Sequence, residues 1–428
     1  MSHIKKYAPR RRFEKFSNVD DWEQRKLGDY AEILTGGTPK TSISEYWEPK
    51  RIPWMSSGEV NKRRLDGTDN MISEEGLNNS NARWVKEHSV LIALAGQGKT
   101  RGTVAVNNIK LTTNQSIAAI VPNDNLHHEF IYQNLIKRYD ELRMISSGDG
   151  TRGGLNKRIV SDILLLSPSK EEQIKIGTFF KQLDDTFALH QRKLEKIKAL
   201  KTAYLSEMFP AEGETKPKRR FAGFTDDWEQ RKFEDCFKFP VSTNSLSRVM
   251  LNYDKGEVKN VHYGDVLIKY PCILNIKKEE IPYITGGRLE AYNSNLLENG
   301  DLIFADAAED ETVGKAVEVN GITNENLVSG LHTIVARATT QKAKYFLGYY
   351  INSDIYHRQL LRLMQGSKVS AISKGNLQKT DVSFPKDIEE QQKIGSYFKQ
   401  LDDTITLHQR KLQKLQNIKK AYLNEMFI

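Results

Sequence analysis

The sequence predicts an α+β protein in which two mixed α/β domains are separated by two long helices packed as an antiparallel coiled coil, the whole forming a pseudo-two-fold tandem repeat. Three observations predict it. Residues 171–209 recur as residues 389–427, with 27 of 39 positions identical at a fixed offset of 218. The segment Asp20-Asp-Trp-Glu-Gln-Arg-Lys26 recurs as Asp226-Asp-Trp-Glu-Gln-Arg-Lys232, and Arg11-Arg-Phe recurs as Arg219-Arg-Phe. Between these matching parts lie two stretches of β-type runs that differ in sequence.

Taken in order, residues 1–26 are the first frame segment and carry a charge of about +4. Residues 27–170 alternate apolar runs (AEILTGGTP, IPWMSSGEV, SVLIALAG, GTVAV, SIAAIVP) with Gly, Asn, Ser and Pro, which predicts a sheet, with a helix over 127–145. Residues 171–209 form a long helix. Its positions Phe180, Leu183, Phe187, His190, Leu194, Ile197, Lys201, Tyr204 and Met208 advance in steps of three and four, as the a and d positions of a heptad do. Residues 210–232 hold a Pro-, Gly- and charge-rich linker and the second frame segment. Residues 233–388 repeat the mixed style, with VLIKY, DLIFADAA, KAVEV, HTIVARA and DVSFP as strands and a helix near 342–364. Residues 389–428 repeat the heptad through Phe398, Leu401, Ile405, His408, Leu412, Leu415, Lys419, Tyr422 and Met426. Two such stripes favour burial against each other. Ile176, Leu189 and Leu200, with Ile394, Leu407 and Ile418, widen the apolar face and leave room for a further helix.

Composition narrows the function classes. Over 428 residues, 64 basic and 55 acidic side chains leave a net charge of +9, and residues 233–388 carry about −1, so any nucleic-acid contact must be local. No apolar run approaches the roughly 18 residues that span a bilayer. The basic N-terminus lacks the apolar core of a secretion signal. With Cys236 and Cys272 as the sole cysteines, a disulfide framework or Cys-based zinc site is not expected, and a reducing cytoplasm is.

Several motifs imitate chemistry. Ala93-Leu-Ala-Gly-Gln-Gly-Lys-Thr100 follows a strand and approaches a phosphate-binding loop, but that loop needs a helix to begin at Lys99-Thr100, whereas β-branched residues follow. FAGFT (221–225) lacks the second glycine of a methyl-donor loop. His190 and His408 have no ligand-spaced neighbour and read as a buried polar pair that fixes helix register. Asp184-Asp185 and Asp402-Asp403 are adjacent on a helix, do not face one another, and read as a solvated face or a partner contact. No catalysis by the chain alone is expected.

The DDWEQRK starts, IPWMSSGEV (52–60), GDLIF (300–304) and the tandem EEQ…IG…F…KQLDDT…QRKL helices together resemble the specificity subunits of type I restriction-modification enzymes. The resemblance implies that the two middles are target recognition domains, each reading half of a bipartite site in double-stranded DNA, with the helices as the ruler between them. It implies two methyltransferase subunits as partners, with endonuclease/translocase subunits added in the full complex. It places S-adenosylmethionine, ATP and magnesium in those partners and no cofactor in this chain. Partner docking and the helix seam are expected at Phe180, Leu183, Phe187, His190, Leu194, Ile197, Tyr204, Phe398, Leu401, Ile405, His408, Leu412, Leu415 and Tyr422. A helix of 39 residues spans about 58 Å, a ceiling of about 17 base pairs.

DNA contacts are read from loop chemistry and are not transferred from the family, whose members differ in these loops. In the first domain they are Ser56, Ser57, Lys62, Arg63, Arg64, Gln97, Lys99, Arg101, Arg152 and Lys157; in the second, Lys269, Arg288, Asn293, Lys315, His332, Lys368, Ser370 and Lys374. Two other readings stay open: an NTPase using Ala93–Thr100, and a coiled-coil adaptor without a nucleic-acid role.

Overall fold

A computed structural model describes residues 7–19, 21–96, 100–145, 154–364 and 370–428. They fall into two compact units, Met1–Gln191 with Arg410–Ile428, and Arg192–Gln409. Each unit therefore owns one middle domain and a piece of each long helix.

In the first unit a five-stranded sheet runs in the order Ala31–Thr35, Ile117–Pro122, Val90–Ala93, Val104–Asn107, Arg64–Leu65, antiparallel except for the last, parallel pair. The central strands Ile117–Pro122 and Val90–Ala93 are apolar without interruption because both faces are covered. Val90, Ile92, Val104, Val106, Ala118 and Ile120 pack on one side with Phe130, Leu135 and Phe180. Leu91, Ala93, Ala105 and Ala119 pack on the other with Met55 and Leu111 from a four-stranded sheet and with Val60 from the 3-10 helix Ser57–Lys62. That second sheet contains the parallel pair Ile52–Met55 and Leu111–Thr113.

The second unit repeats the plan with other residues. Its large sheet runs Phe237–Lys238, Thr333–Ala338, Leu302–Ala305, Ala316–Asn320, Ile273–Asn275, again with only the last pair parallel. Its second sheet contains the parallel pair Val258–Val261 and Asn326–Ser329. The similarity between residues 89–107 and 300–320 thus marks the same antiparallel hairpin in both sheets.

Three local expectations change. VLIKY lies in and just past the helix Tyr263–Ile268, with Val266 buried and Ile268 88% exposed; a short apolar run does not distinguish strand from helical turn. The helix over 127–145 is two, His128–Lys137 and Tyr139–Met144. The one near 342–364 is also two, Phe346–Ile351 and Asp354–Leu363, the second opened by Ser353, whose hydroxyl accepts from the Tyr356 N–H.

The frame explains the repeated residues. Glu23–Lys26 pairs with Leu164–Ser167, and Glu229–Lys232 with Asp381–Phe384. Arg12 grips the buried Glu172 through two hydrogen bonds, as Arg220 grips the buried Glu390. Gln173 accepts from the His127 N–H at 2.9 Å and Gln391 accepts from the Ala343 N–H at 3.2 Å. Gly177 and Gly395 let the helix approach the domain: a Cβ would lie 2.7 Å from the Glu129 Cβ in one case and 2.6 Å from the Lys344 carbonyl oxygen in the other.

The long helices are Lys170–Glu207 and Ile388–Met426. In the first unit Phe180 lies against Phe427 and Asp184 bonds to Lys419; in the second, Lys201 bonds to Asp402 and Phe209 stacks on Phe398. Numbers rise along one helix as they fall along the other, so the segments run antiparallel within each unit. Phe180, Leu194, Met208, Phe398, Leu412 and Met426 are buried, and the stripe residues between them are half-buried, His190 and His408 included. The widened face does not stay apolar and unpartnered throughout. Ile176 and Ile394 enter the domain cores, Ile418 is half-buried, and Leu189, Leu200 and Leu407 are exposed. The Asp pairs also need correcting. Adjacent helical positions point about 100° apart, so Asp184 and Asp402 turn inward to Lys419 and Lys201, while Asp185 and Asp403 pair with Lys181 and Lys399 on their own helices.

Candidate nucleic-acid interface

Both large sheets end in the same convergence of loops. In the first unit the Leu94 N–H donates to the Ser116 carbonyl at 2.8 Å, and the Leu94 carbonyl accepts from the Leu155 N–H at 3.0 Å. Asn114 donates its N–H to the Met55 carbonyl at 3.0 Å. These bonds gather the hairpin after Val90–Ala93, the turn at 114–116, the turn beginning at Ser56 and the chain leading to Lys157. In the second unit the corresponding bonds run from Asp306 N–H to the His332 carbonyl (3.0 Å), from Ile372 N–H to the Asp306 carbonyl (2.9 Å) and from Gly330 N–H to the Val261 carbonyl (2.8 Å).

Buried carboxylates brace the turns. Glu59 accepts from the Ser56 N–H at 2.9 Å, and Asp265 takes both arms of Arg248 at 2.7 and 2.9 Å. Asn156 and Ser373 cap the short helices Lys157–Ser161 and Lys374–Gln378 by accepting from Ile159 and Asn376 N–H groups. His332 adopts a left-handed φ of 53°, a conformation that is costly without glycine, and its Nδ1 lies 3.2 Å from the Asp306 carboxylate. Burial pushes the Asp306 carboxyl up, with His332 opposing that shift. Hydroxyl, imidazole and guanidinium groups at such a loop cluster are the donors and acceptors that touch phosphates and base edges.

The expected contact residues divide four ways. Ser56, Ser57, Arg101 and Lys157 come together at the first sheet end, where Arg101 donates to the Arg143 carbonyl at 3.0 Å. His332, Ser370 and Lys374 come together at the second. Lys62 is bridged to Glu59 and Asp69, and Arg63 reaches the Val104 carbonyl. Arg64 turns inward to a two-pronged pair with the buried Glu129, its guanidinium 4.6 Å from the Tyr132 ring centre. Lys315 donates to the Leu267 and Tyr270 carbonyls at the end of a helix, and Lys269 donates to Glu280. Arg288, which precedes the 3-10 helix Leu289–Ala291, and Asn293, which begins the 3-10 helix Asn293–Asn295, are exposed. Gln97, Lys99, Arg152 and Lys368 lie outside the described residues.

The phosphate-loop reading loses its helix: Thr100–Gly102 form a turn, and Val104–Asn107 is a strand. Among the described residues, no group of three or more His, Cys, Asp and Glu side chains could hold a metal ion, and no helix is long and apolar enough to cross a membrane.

A family model described as the type I restriction modification DNA specificity domain matches residues 19–199 and again residues 225–417. The chain belongs to this family. The MjaIX specificity subunit of Methanocaldococcus jannaschii is 23% identical over 420 residues, covering 95% of this chain and 92% of its own. The EcoR124I/EcoR124II specificity subunit of Escherichia coli is 24% identical over 164 residues, covering 38% of this chain and 41% of its own. In fold, the crystal structure of a type I S subunit from M. genitalium matches 98% of this chain and 99% of its own, with a TM-score of 0.58 at 12% identity. The present chain is thus a specificity subunit with two recognition domains, the non-catalytic component of its class.

In this specificity subunit the candidate interface reaches residues that the sequence did not single out. His262 and Tyr263 occupy the places of Ser56 and Ser57, 206 positions earlier, and Ser116 occupies the place of His332, 216 later. The ring of Tyr263 meets that of His332 edge-on at 5.3 Å. The frame offset of 206, carried inward, would have found His262 and Tyr263; Ser116 and His332 stand 216 apart, between the two frame offsets of 206 and 218, so no single offset pairs them.

Proposed function

We propose that this specificity subunit reads a bipartite site in double-stranded DNA, one half with each recognition domain, and scaffolds two methyltransferase subunits on its repeated frame. Endonuclease/translocase subunits join through those partners. The observation that carries the reading is the repeated strand order around two unlike loop clusters: identical frames suit identical partners, and unlike clusters suit unlike half-sites. Ser56, Ser57, Arg101 and Lys157 would contact one half; His332, Ser370, Lys374 and the newly placed His262 and Tyr263 the other. Lys62, Arg63, Arg64, Lys269 and Lys315 are engaged by partners inside their own domains, whereas Arg101, although it donates to the Arg143 carbonyl, stands in the hairpin of the first cluster. The long helices act as an antiparallel coiled-coil spacer. Adenine methylation with S-adenosylmethionine, and ATP- and magnesium-dependent cleavage, belong to the partner subunits.

Exchanging residues 27–170 for the equivalent domain of another member, followed by mapping of methylated adenines in the host genome, tests the reading. One half of the methylated sequence changes and the other stays. A change in both halves would overturn the modular assignment.

A further inference from the structure

In each unit the recognition domain is tied to the helix pair by the same carboxylate, used in the same way. Asp184 accepts from Lys419 Nζ through Oδ1 at 2.5 Å and from Gln133 Nε2 through Oδ2 at 2.9 Å. Asp402 accepts from Lys201 Nζ through Oδ1 at 2.5 Å and from the Tyr349 hydroxyl through Oδ2 at 2.8 Å. One oxygen thus faces the other long helix and the second faces the recognition domain. Gln133 and Tyr349 hold equivalent places, each three residues beyond a phenylalanine, Phe130 or Phe346, that packs on Phe427 or Phe209. They are different residue types, and both are buried.

An apolar contact between domain and helix can slide with little loss, whereas a hydrogen bond to a charged acceptor is directional and costly to break once buried. Two domains whose sequences diverged have kept a polar atom on the same oxygen, although an apolar side chain would fill the space. Resting on the bipartite reading above, we propose that Asp184 and Asp402 are positioning residues. By fixing each recognition domain on the helix pair, they set how strictly the complex demands one gap length between half-sites.

Two substitutions isolate the link from the interhelical pair. Tyr349→Phe removes one oxygen, Gln133→Met removes the amide at similar length, and neither touches Lys201–Asp402 or Lys419–Asp184. With the half-sites taken from the methylome, complexes of full-length chain and methyltransferase subunits are assayed on duplexes whose gap is native or changed by one base pair. Each variant is expected to methylate the native-gap duplex near the normal rate while its preference for that gap falls at least about three-fold, a fraction of the roughly ten-fold or more that a hydrogen bond to a charged group is worth. The exchange Asp402→Lys with Lys201→Asp moves the carboxylate that accepts from the Tyr349 hydroxyl while keeping an interhelical pair, and relaxes the gap preference likewise. It is made at Asp402 because Asp184 also lies 3.6 Å from the Arg64 guanidinium, and it decides the matter if a single variant fails to assemble. Full gap discrimination in the variants, or an equal loss of rate at every gap, would overturn the proposal. A wild-type complex indifferent to the gap would instead sink the bipartite reading, and with it this one.

Discussion

His127 and His128 open the helix His128–Lys137 beneath the first large sheet, and their surroundings suit the neutral ring. Burial, with Lys170 and His88 adding positive neighbours, pushes His127 down to about 4. Burial, then His127 and His88, pushes His128 down to about 3. His88 stacks on His128 at 4.9 Å, and Glu129, 3.8 Å from His128 Nε2, is already gripped by Arg64. Between these folded values and the ordinary histidine value near 6.5, the unfolded chain binds more protons than the folded one, so stability is present above about pH 6.5 and falls as pH drops towards 4. The melting temperature should therefore decline between pH 7 and pH 5, and His128→Phe should make that decline shallower. An equally steep decline in the variant would assign the acid sensitivity to other groups. Neither the pair Arg12–Glu172 nor its twin Arg220–Glu390 was legible beforehand, because a charge repeated at offsets of 208 and 218 looks solvated until the fold brings it under a helix start.

At the scale of elements, the long helices were the most legible part. Their three-four rhythm follows from helix geometry alone, and Phe180, Leu194, Met208, Phe398, Leu412 and Met426 are buried at that spacing, with Leu423 buried beside it. The rhythm could not show that Leu189, Leu200 and Leu407 stay exposed, since an apolar residue flanking a stripe has the same spacing whether or not a neighbour covers it. Short elements were harder to read: VLIKY is as apolar as any strand, yet His262 starts a helical turn there by accepting from the Gly264 N–H. The seam itself can be probed directly. Leu194 and Leu412 are 5% and 7% exposed. Replacing both by aspartate buries charge without a partner, at a cost of several kcal/mol. Helical circular dichroism should melt at a lower temperature, and the methyltransferase complex should be lost on gel filtration. An intact complex would show that assembly uses other surfaces.

For the whole molecule, the repeat disclosed the architecture while the loops concealed the candidate site, because the frame segments recur in sequence and the loops of the two domains do not. The same repeat makes a prediction about chain order. In the second unit, residues 208–218 carry the chain from Glu207 to Arg219, whose N–H donates to the Glu207 carbonyl at 2.8 Å and whose Nε donates to its carboxylate at 2.6 Å, with the guanidinium 4.6 Å from the Tyr204 ring centre. In the first unit Arg11 makes the same three contacts, with the Glu425 carbonyl at 2.9 Å, the Glu425 carboxylate at 2.5 Å and the Tyr422 ring centre at 5.1 Å, though more than 400 residues separate it from them in sequence. One joint is covalent and its twin is held by packing and hydrogen bonds alone. A permuted chain that starts at Arg219, passes from Phe427 through a copy of residues 210–218 into Arg11, and ends at Phe209 exchanges the two joints, giving up the Tyr7 contact with Trp22 and the contacts of residues 210–218 with Trp228, Gln230 and Arg362. It should fold with a melting temperature within about 5 °C of the parent, since loop closure varies only slowly with length. It should also direct methylation to the same sequence with the same gap. A permuted chain that folds but changes the gap would show that the covalent linker, and not the packed frame, sets the spacing between half-sites.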